Sequence, residues 1–554
     1  MFEEFTTQSL KELKKIKEKR NIDWEISLEE PPGDFGDVSA PCFELAPVLK
    51  KSPNDIAEEI ASEIKPSGLI KDVKALNGYI NFYLDYEKLA SELINKIRSG
   101  GDSYGKGGES GKIVLEHTSA NPDGPLHIGH ARNAIIGDTI TRIMRFAGYE
   151  VETQYYINDM GRQLAVVVWG LETRELDKKK KNDHAVLEVY VDANKVVDEN
   201  PEHEQAISEL MKGYEAGDKN IREKFEHVAN YSVGGVKETL KRVNISHDTF
   251  VWESTFVRDS SVEEVVKALG GTEYFNEDEV AYLDLTDFGI EKELILKRKD
   301  GTYLYATRDI AYHLWKSKRG QVIDVLGADH KLVSSQLTTA LTILGRGVPE
   351  LIIYEFISLP EGSMSTRRGM FVSLDELLDE SVKRAYEEVN KRRPDETEEF
   401  KSKVAESIGT GAVRFNIVRI SPEKAMIFKW EDALDFEKQG SPFIQYAYAR
   451  VCRILEKEKP AEDFAIGDLK ENETAVLKML SKFPGVVTEA ARSRKPALLA
   501  VYTSELAAAF HRFYMFEPVL KSKEKDFRLN LVYATMITLK NSLNMLGIDA
   551  LEKM

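Results

Sequence analysis

The sequence predicts an α/β protein: a Rossmann-like parallel-sheet domain carrying an insertion, with a small α+β domain before it and an all-α domain after it. Three observations predict this. Residues 112–157 read strand, helix, strand, at 112–117, 128–146 and 151–157. Such a βαβ unit implies parallel strands and a right-handed crossover. Strand patterns resume at 293–298, 324–327 and 351–357 after a charged, largely helical stretch of about 161–290, as in a sheet split by an insertion. From about 375 to 554 the pattern is almost wholly helical.

The elements follow in order. A helix over about 7–20 carries Lys11, Lys14, Lys15, Lys17, Lys19 and Arg20, with Glu12 and Glu18 interspersed. Pro31-Pro32-Gly33-Asp34-Phe35-Gly36-Asp37 is a turn. Ser52-Pro53 is a cap and first-turn pair that opens a second helix. Asn77-Gly78 marks a hairpin within a strand pair at 73–84. The Gly/Ser-rich run from Ser99 to Gly108 is the clearest boundary, dividing a first unit, 1–105, from a second, 106–375. The basic run Asp177-Lys178-Lys179-Lys180-Lys181 reads as a solvated loop. The helical remainder, 376–554, is the third unit.

The most informative segment runs from Glu116 to Asn133. A strand ends at its beginning, a Pro/Gly-rich turn follows, and His127-Ile128-Gly129-His130 opens a helix that extends to about Ala147. His127 and His130, at i and i+3, lie on one side of the first turn. There the helix dipole favours anions and imidazole N–H groups reach phosphate oxygens, so the segment is a site for a polyphosphate. Gly129, without a side chain, lets a planar base approach the backbone.

Composition sets limits. The chain has 554 residues, 42% of them hydrophobic, enough for three or four domains. No apolar run nears the roughly 18 residues that span a membrane. Cys42 and Cys452 are the two cysteines; they form neither a disulfide framework nor a zinc motif, and a reduced cytoplasm is expected. The net charge of −17 argues against a general nucleic-acid coat, while a local basic face on an acidic protein stays possible.

His-Ile-Gly-His is the signature of class I aminoacyl-tRNA synthetases, and the extended form Glu-x-x-Ser-Ala-Asn-Pro before it resembles the arginyl-tRNA synthetase family. Downstream, Tyr303-Leu304-Tyr305-Ala306-Thr307-Arg308-Asp309 is similar to the family's Tyr-x-x-x-Asp element. The resemblance implies that Tyr305, Asp309 and Glu116 read a guanidinium, which two carboxylates suit. It implies that Gln336 helps hold the α-amino group, and that Ser119, Asn121 and His130 complete the amino-acid site. His127, Gly129 and His130 would bind ATP, with magnesium carried by the triphosphate. It implies no zinc and no other resident metal. Arginine would be activated to the adenylate with tRNA already bound, and then moved to the tRNA 3′ end.

One departure stands out. Where the class carries Lys-Met-Ser-Lys-Ser, this chain has Gly362-Ser363-Met364-Ser365-Thr366-Arg367-Arg368-Gly369. Met364 and Ser365 match the ATP-binding core. Ser363 and Thr366 replace both lysines, and the lysine that some family members carry just before the first signature is Gly124 here. Arg367 or Arg368 is the expected catalytic cation, since arginine keeps its charge and contacts phosphate bidentately. The first unit resembles the family's tRNA-elbow domain, with Tyr79 stacking on a base and Asn81 bonding its edge. Ser441 to Arg453 resembles the start of the helical anticodon-binding domain, with Tyr446, Arg450 and Arg453 facing tRNA. The expected partners are tRNA(Arg), L-arginine and ATP, with no membrane, and the expected state is a monomer. Two alternatives stay open: a class I ligase for another amino acid, and a synthetase-like RNA-binding paralogue that has lost catalysis.

Overall fold

Five parallel strands organise the centre of the molecule: β1 (Lys112–Glu116), β2 (Glu150–Ile157), β3 (Thr249–Trp252), β4 (Gln321–Gly327) and β5 (Glu350–Tyr354). They lie in the order β5-β4-β1-β2-β3, so the strand sequence reverses direction between β1 and β4. In a doubly wound sheet that point leaves a crevice beyond the strand ends, and ligands bind there. The structure, a computed structural model, describes residues 1–33, 35–358, 372–437 and 440–554. The expected catalytic and ATP-binding residues Met364, Ser365, Arg367 and Arg368 lie outside the described residues.

The sheet corrects two expectations. β3 lies inside the stretch read as insertion. It is four residues long, Thr-Phe-Val-Trp, and its neighbours are charged helices, so its period is too short to stand out. Leu294–Lys297, expected to resume the main sheet, instead joins Phe275–Glu277 and Ala281–Leu283 in a separate antiparallel sheet. The inserted helices Arg162–Gly170, Asn182–Glu199, His203–Glu215 and Lys219–Arg242 bury a core of their own, including Val166, Val189, Ile207 and Phe225. Lys181, read as solvated, is half-buried, with its ammonium 2.6 Å from Asp375 and 2.9 Å from Asp183.

Helix Ile128–Ala147 crosses from β1 to β2 with nearly every side chain buried. Arg132 is wholly buried on it, and among the described residues its hydrogen bonds reach only backbone carbonyls. Its guanidinium donates to the carbonyls of Glu355 (2.7 Å), Phe356 (3.0 Å) and Lys424 (2.7 Å), among others. This fastens the chain leaving β5 to the signature helix. At the far side of the undescribed stretch, Ser373 pairs with His127 as an isolated antiparallel bridge, and Leu374 N donates to Leu126 O at 2.7 Å. Ser373 also caps helix Leu374–Arg392 through a reciprocal box with Glu376.

The N-terminal unit forms as its sequence suggests. Ser52 accepts from Asp55 N at 3.1 Å with Pro53 in the first turn. Asn77 and Gly78 both have positive φ, as a tight hairpin turn demands. The Gly-rich junction is pinned rather than loose: Tyr104 is buried and donates to Leu480 O at 2.7 Å. Arg98 donates to Asn530 at 2.7 Å and Lys478 sits 2.9 Å from Asp37, so this unit docks on the C-terminal helices. Among the described residues, no helix is long and apolar enough to cross a membrane.

Candidate active site

At the end of β1 the backbone turns through two consecutive non-glycine residues of positive φ, Thr118 (71°) and Ser119 (38°). Such strain persists only where surrounding bonds over-determine it. Here they do. Asn133 accepts from Thr118 N and donates to Val325 O on β4 at 2.7 Å. Tyr155 donates to Ala120 O at 2.8 Å. Ser119 Oγ donates to Glu116 at 2.9 Å and accepts from Tyr156 N at 3.0 Å. The turn thus aims Ser119 at Glu116, while Asn121 sits half-buried just beyond.

The helix that follows is capped by its own histidines. His127 Nδ1 accepts from Gly129 N (3.0 Å) and His130 N (3.2 Å), and His130 Nδ1 accepts from His127 N (3.4 Å). The rings stack with centroids 3.6 Å apart. Because each Nδ1 is an acceptor, each ring carries its proton on Nε2. Burial holds His127 below the usual imidazole range, and burial with the neighbouring His127 ring pushes His130 down to about 3. Both are neutral donors at physiological pH. Gly129 has a reason the sequence did not show: a Cβ there would stand 2.8 Å from His127 Cε1.

A second group of charged residues lies under the sheet's switch point. Glu116 pairs with Lys316 at 2.7 Å, and Lys316 pairs with Asp324 of β4 at 2.6 Å. His313 Nε2 faces Asp324 at 2.8 Å, while its Nδ1 faces the Asp309 carboxylate at 3.0 Å. Glu116 and Asp309, read as partners from sequence, are therefore joined through a buried chain whose middle members sequence reasoning missed. Burial and Lys316 push the His313 imidazole down, but Asp309 and Asp324 outweigh them and hold it at about 10. Burial alone would raise Asp324; Lys316 and His313 hold it well below the usual carboxylate range instead.

Tyr156 stacks on Tyr312 at 4.5 Å, with a buried hydroxyl that has no hydrogen-bond partner among the described residues. Burial, then Glu253, Asp309 and Glu116 in turn, push its phenol well up, so it stands among these three carboxylates. Glu253 is buried, pairs with Arg308 at 3.2 Å and is raised to about 7 chiefly by desolvation. Tyr305, 57% exposed, opens helix Tyr305–Lys316 one turn before Asp309. Gln336 is buried and donates to Lys292 O (2.9 Å) and Glu293 O (3.3 Å), so its amide nitrogen is already committed.

The same combination of turn, signature helix and Tyr-x-x-x-Asp helix is what a match to known families covers. The catalytic domain of class I (R) tRNA synthetases matches residues 92–430, the arginyl tRNA synthetase N-terminal domain residues 4–84, and the DALR anticodon-binding domain residues 444–554. The chain belongs to the arginyl-tRNA synthetase family. The arginine–tRNA ligase of Methanocaldococcus jannaschii is 52% identical over 549 residues, covering 96% of each chain. That of Methanococcus aeolicus is 50% identical, covering 98% of each. The solved arginyl-tRNA synthetase of Thermus thermophilus aligns with a TM-score of 0.84 at 28% identity, over 99% of this chain and 100% of that one.

Within this arginyl-tRNA synthetase family member, Gly124 is packed against the insertion. A Cβ there would come 3.2 Å from Leu187, on helix Asn182–Glu199. The expected RNA-facing residues divide. Tyr79 is half-buried, edge-on to the exposed Phe43 at 5.1 Å. Asn81 is a correction: it is 2% exposed in the middle strand of its sheet, so its amide presents no edge to a base. Tyr446 is exposed, Arg453 is exposed, and Arg450 stacks between Tyr446 and Tyr514, 4.6 Å from each ring. Tyr514, Met515 and Phe516 form an exposed apolar tip beside them that was not singled out from sequence.

Proposed function

We propose that this chain joins L-arginine to tRNA(Arg) at the expense of ATP. An arginine carboxylate oxygen attacks the α-phosphorus, pyrophosphate leaves, and a terminal ribose hydroxyl of tRNA then takes the arginyl group and releases AMP. The observation that carries the amino-acid assignment is the pairing of Glu116 and Asp309 on one buried ionic chain at the switch point. Two fixed carboxylates suit a planar guanidinium, with the Tyr305 ring over it.

In this reading Ser119, Asn121 and the carbonyl oxygen of Gln336 hold the ammonium and carboxylate ends. The stacked neutral imidazoles of His127 and His130 donate to phosphate at the helix N-terminus, and Gly129 admits the adenine. Because these donors are uncharged, a cation must come from elsewhere, and Arg367 and Arg368 remain our candidates. Magnesium rides on the triphosphate. Residues 1–105 grip the tRNA elbow, with Tyr79 at the contact, and residues 376–554 carry the anticodon contact through Tyr446, Arg450 and Arg453. The protein works as a cytoplasmic monomer.

The test is the amino-acid dependence of ATP–pyrophosphate exchange, with and without tRNA. Exchange with arginine alone among the amino acids is expected. Exchange with a different amino acid, or none under any condition, overturns the reading.

A further inference from the structure

The ionic chain beneath the switch point does more than connect two carboxylates. It contains three acids, Glu116, Asp309 and Asp324, and two bases, Lys316 and His313. Lys316 is wholly buried and His313 is 5% exposed. The geometry settles the charge of His313 by itself. Nδ1 lies 2.8 Å from Asp309 O and 3.0 Å from its carboxylate, and Nε2 lies 2.8 Å from Asp324. Both nitrogens face acceptors, so both must donate, and the ring is an imidazolium. Lys316 shares its ammonium between Glu116 and Asp324 and lies 4.3 Å from the Tyr312 ring centroid. Nearby Arg308 is engaged separately, with Glu253 and Glu215, and does not reach into the chain.

We propose that His313 and Lys316 are positioning residues that set the charge of the amino-acid pocket. They pair with the Glu116 and Asp309 side chains and leave the cluster with one net negative charge, so that it is completed by a side chain carrying one positive charge. Neither base touches the substrate. Each holds the far side of a carboxylate whose near side is left to the guanidinium. This rests on the reading above, in which Glu116 and Asp309 face arginine. It also predicts that a neutral isostere such as citrulline is rejected, because it would leave a charge in the pocket unpaired.

Loss of either base has a defined consequence. Without His313, three acids share one ammonium, and close carboxylates do not all ionise. One takes up a proton, and arginine binding must then expel it. His313→Gln, of similar shape and uncharged, is therefore expected to raise the KM for arginine roughly tenfold or more while the KM for ATP stays within about threefold. Calorimetric titration of arginine in two buffers of different ionisation enthalpy is expected to show proton release in His313→Gln and none in the natural protein. Lys316→Met is expected to behave alike, and Lys316→Arg, which keeps the charge, to recover most of the arginine affinity.

Unchanged arginine KM in both His313→Gln and Lys316→Met overturns the proposal, as does arginine binding by His313→Gln without proton release. Glu116→Gln and Asp309→Asn separate the two levels. If they too leave the arginine KM unchanged, the pocket reading itself fails. If they raise it and the base variants do not, only the positioning role fails.

Discussion

The imidazole rings of His127 and His130 lie 3.6 Å apart and cap their own helix, each Nδ1 accepting a backbone N–H that belongs to the other residue or its neighbour. One pair of side chains therefore caps the helix and fixes its own tautomers, with the proton of each ring on Nε2, the donor that our proposal assigns to phosphate.

This doubling of roles predicts that stability and activity separate by substitution. His127→Asn keeps a side-chain acceptor for the cap but withdraws the ring. It is expected to unfold within about 0.5 kcal/mol of the natural protein while exchange falls on the order of 100-fold. His127→Ala removes the cap as well and is expected to lose about 1 kcal/mol more. Denaturant melts beside ATP–pyrophosphate exchange check both. Equal activity in His127→Asn and the natural protein would count against a phosphate role.

Arg132 yields a second prediction. Its guanidinium is buried and is held by backbone carbonyls from the chain after β5 and from residues around Lys424. Lysine brings the same charge with a single ammonium that cannot span those carbonyls. Arg132→Lys is expected to cost about 2–4 kcal/mol in denaturant unfolding, because buried acceptors and a buried cation both lose partners. A change below 0.5 kcal/mol would show that the carbonyls are solvated on its loss.

The signature turn and helix were legible because their determinants are local: a strand end, a proline-rich turn and a helix start, contiguous from Glu116 to Asn133. Tyr305 and Asp309 were legible by spacing on one helix. His313 and Lys316 share that face, at i+4 and i+7 from Asp309, and Asp324 interrupts the apolar run Val322-Ile323-Asp324-Val325-Leu326. A charge alone in a buried strand demands partners, and that was the signal available. What sequence could not supply was that Glu116, 200 residues from Lys316, meets it at 2.7 Å. β3 was missed for the opposite reason: four residues at a sheet edge carry too little period against charged helices. Asn81 was assigned to a base edge by family resemblance, but neighbouring strands flank it on both sides and it is buried.

The histidines predict an unusual pH profile of stability. Burial lowers His247 to about 4 and, with the His127 ring, lowers His130 to about 3, from 6.5 in the unfolded chain. Below pH 6.5 the unfolded state binds more protons, so stability falls as pH drops toward these values, by up to about 1.4 kcal/mol per pH unit for each proton taken up. His313, held at about 10, acts in the other direction. Its contribution is fully present below pH 6.5 and is lost as pH rises toward 10. Unfolding free energy is expected to peak near pH 6.5, and His313→Gln is expected to flatten the alkaline limb only. A natural protein whose stability is level from pH 7 to 9.5 contradicts this.

The remaining prediction concerns the missing lysines. Gly124 occupies the position where the family resemblance led us to look for one, and a Cβ there would stand 3.2 Å from Leu187 Cβ and Cδ1. Restoring the lysine therefore crowds the inserted helix, which must give by a few tenths of an ångström. Gly124→Lys alone is expected to lower exchange, since Leu187 crowds the new side chain. Leu187→Ala makes room, and the double variant Gly124→Lys/Leu187→Ala is expected to exchange faster than Gly124→Lys. If Arg367 or Arg368 supplies the natural cation, Arg367→Ala or Arg368→Ala is expected to cut exchange on the order of 100-fold. The added lysine is then expected to rescue that variant in the Leu187→Ala background, since a second cation at the same phosphates makes the arginine dispensable. Unchanged exchange in both Arg367→Ala and Arg368→Ala would remove the arginines from the reaction. Loss without rescue would place their cation where position 124 does not reach.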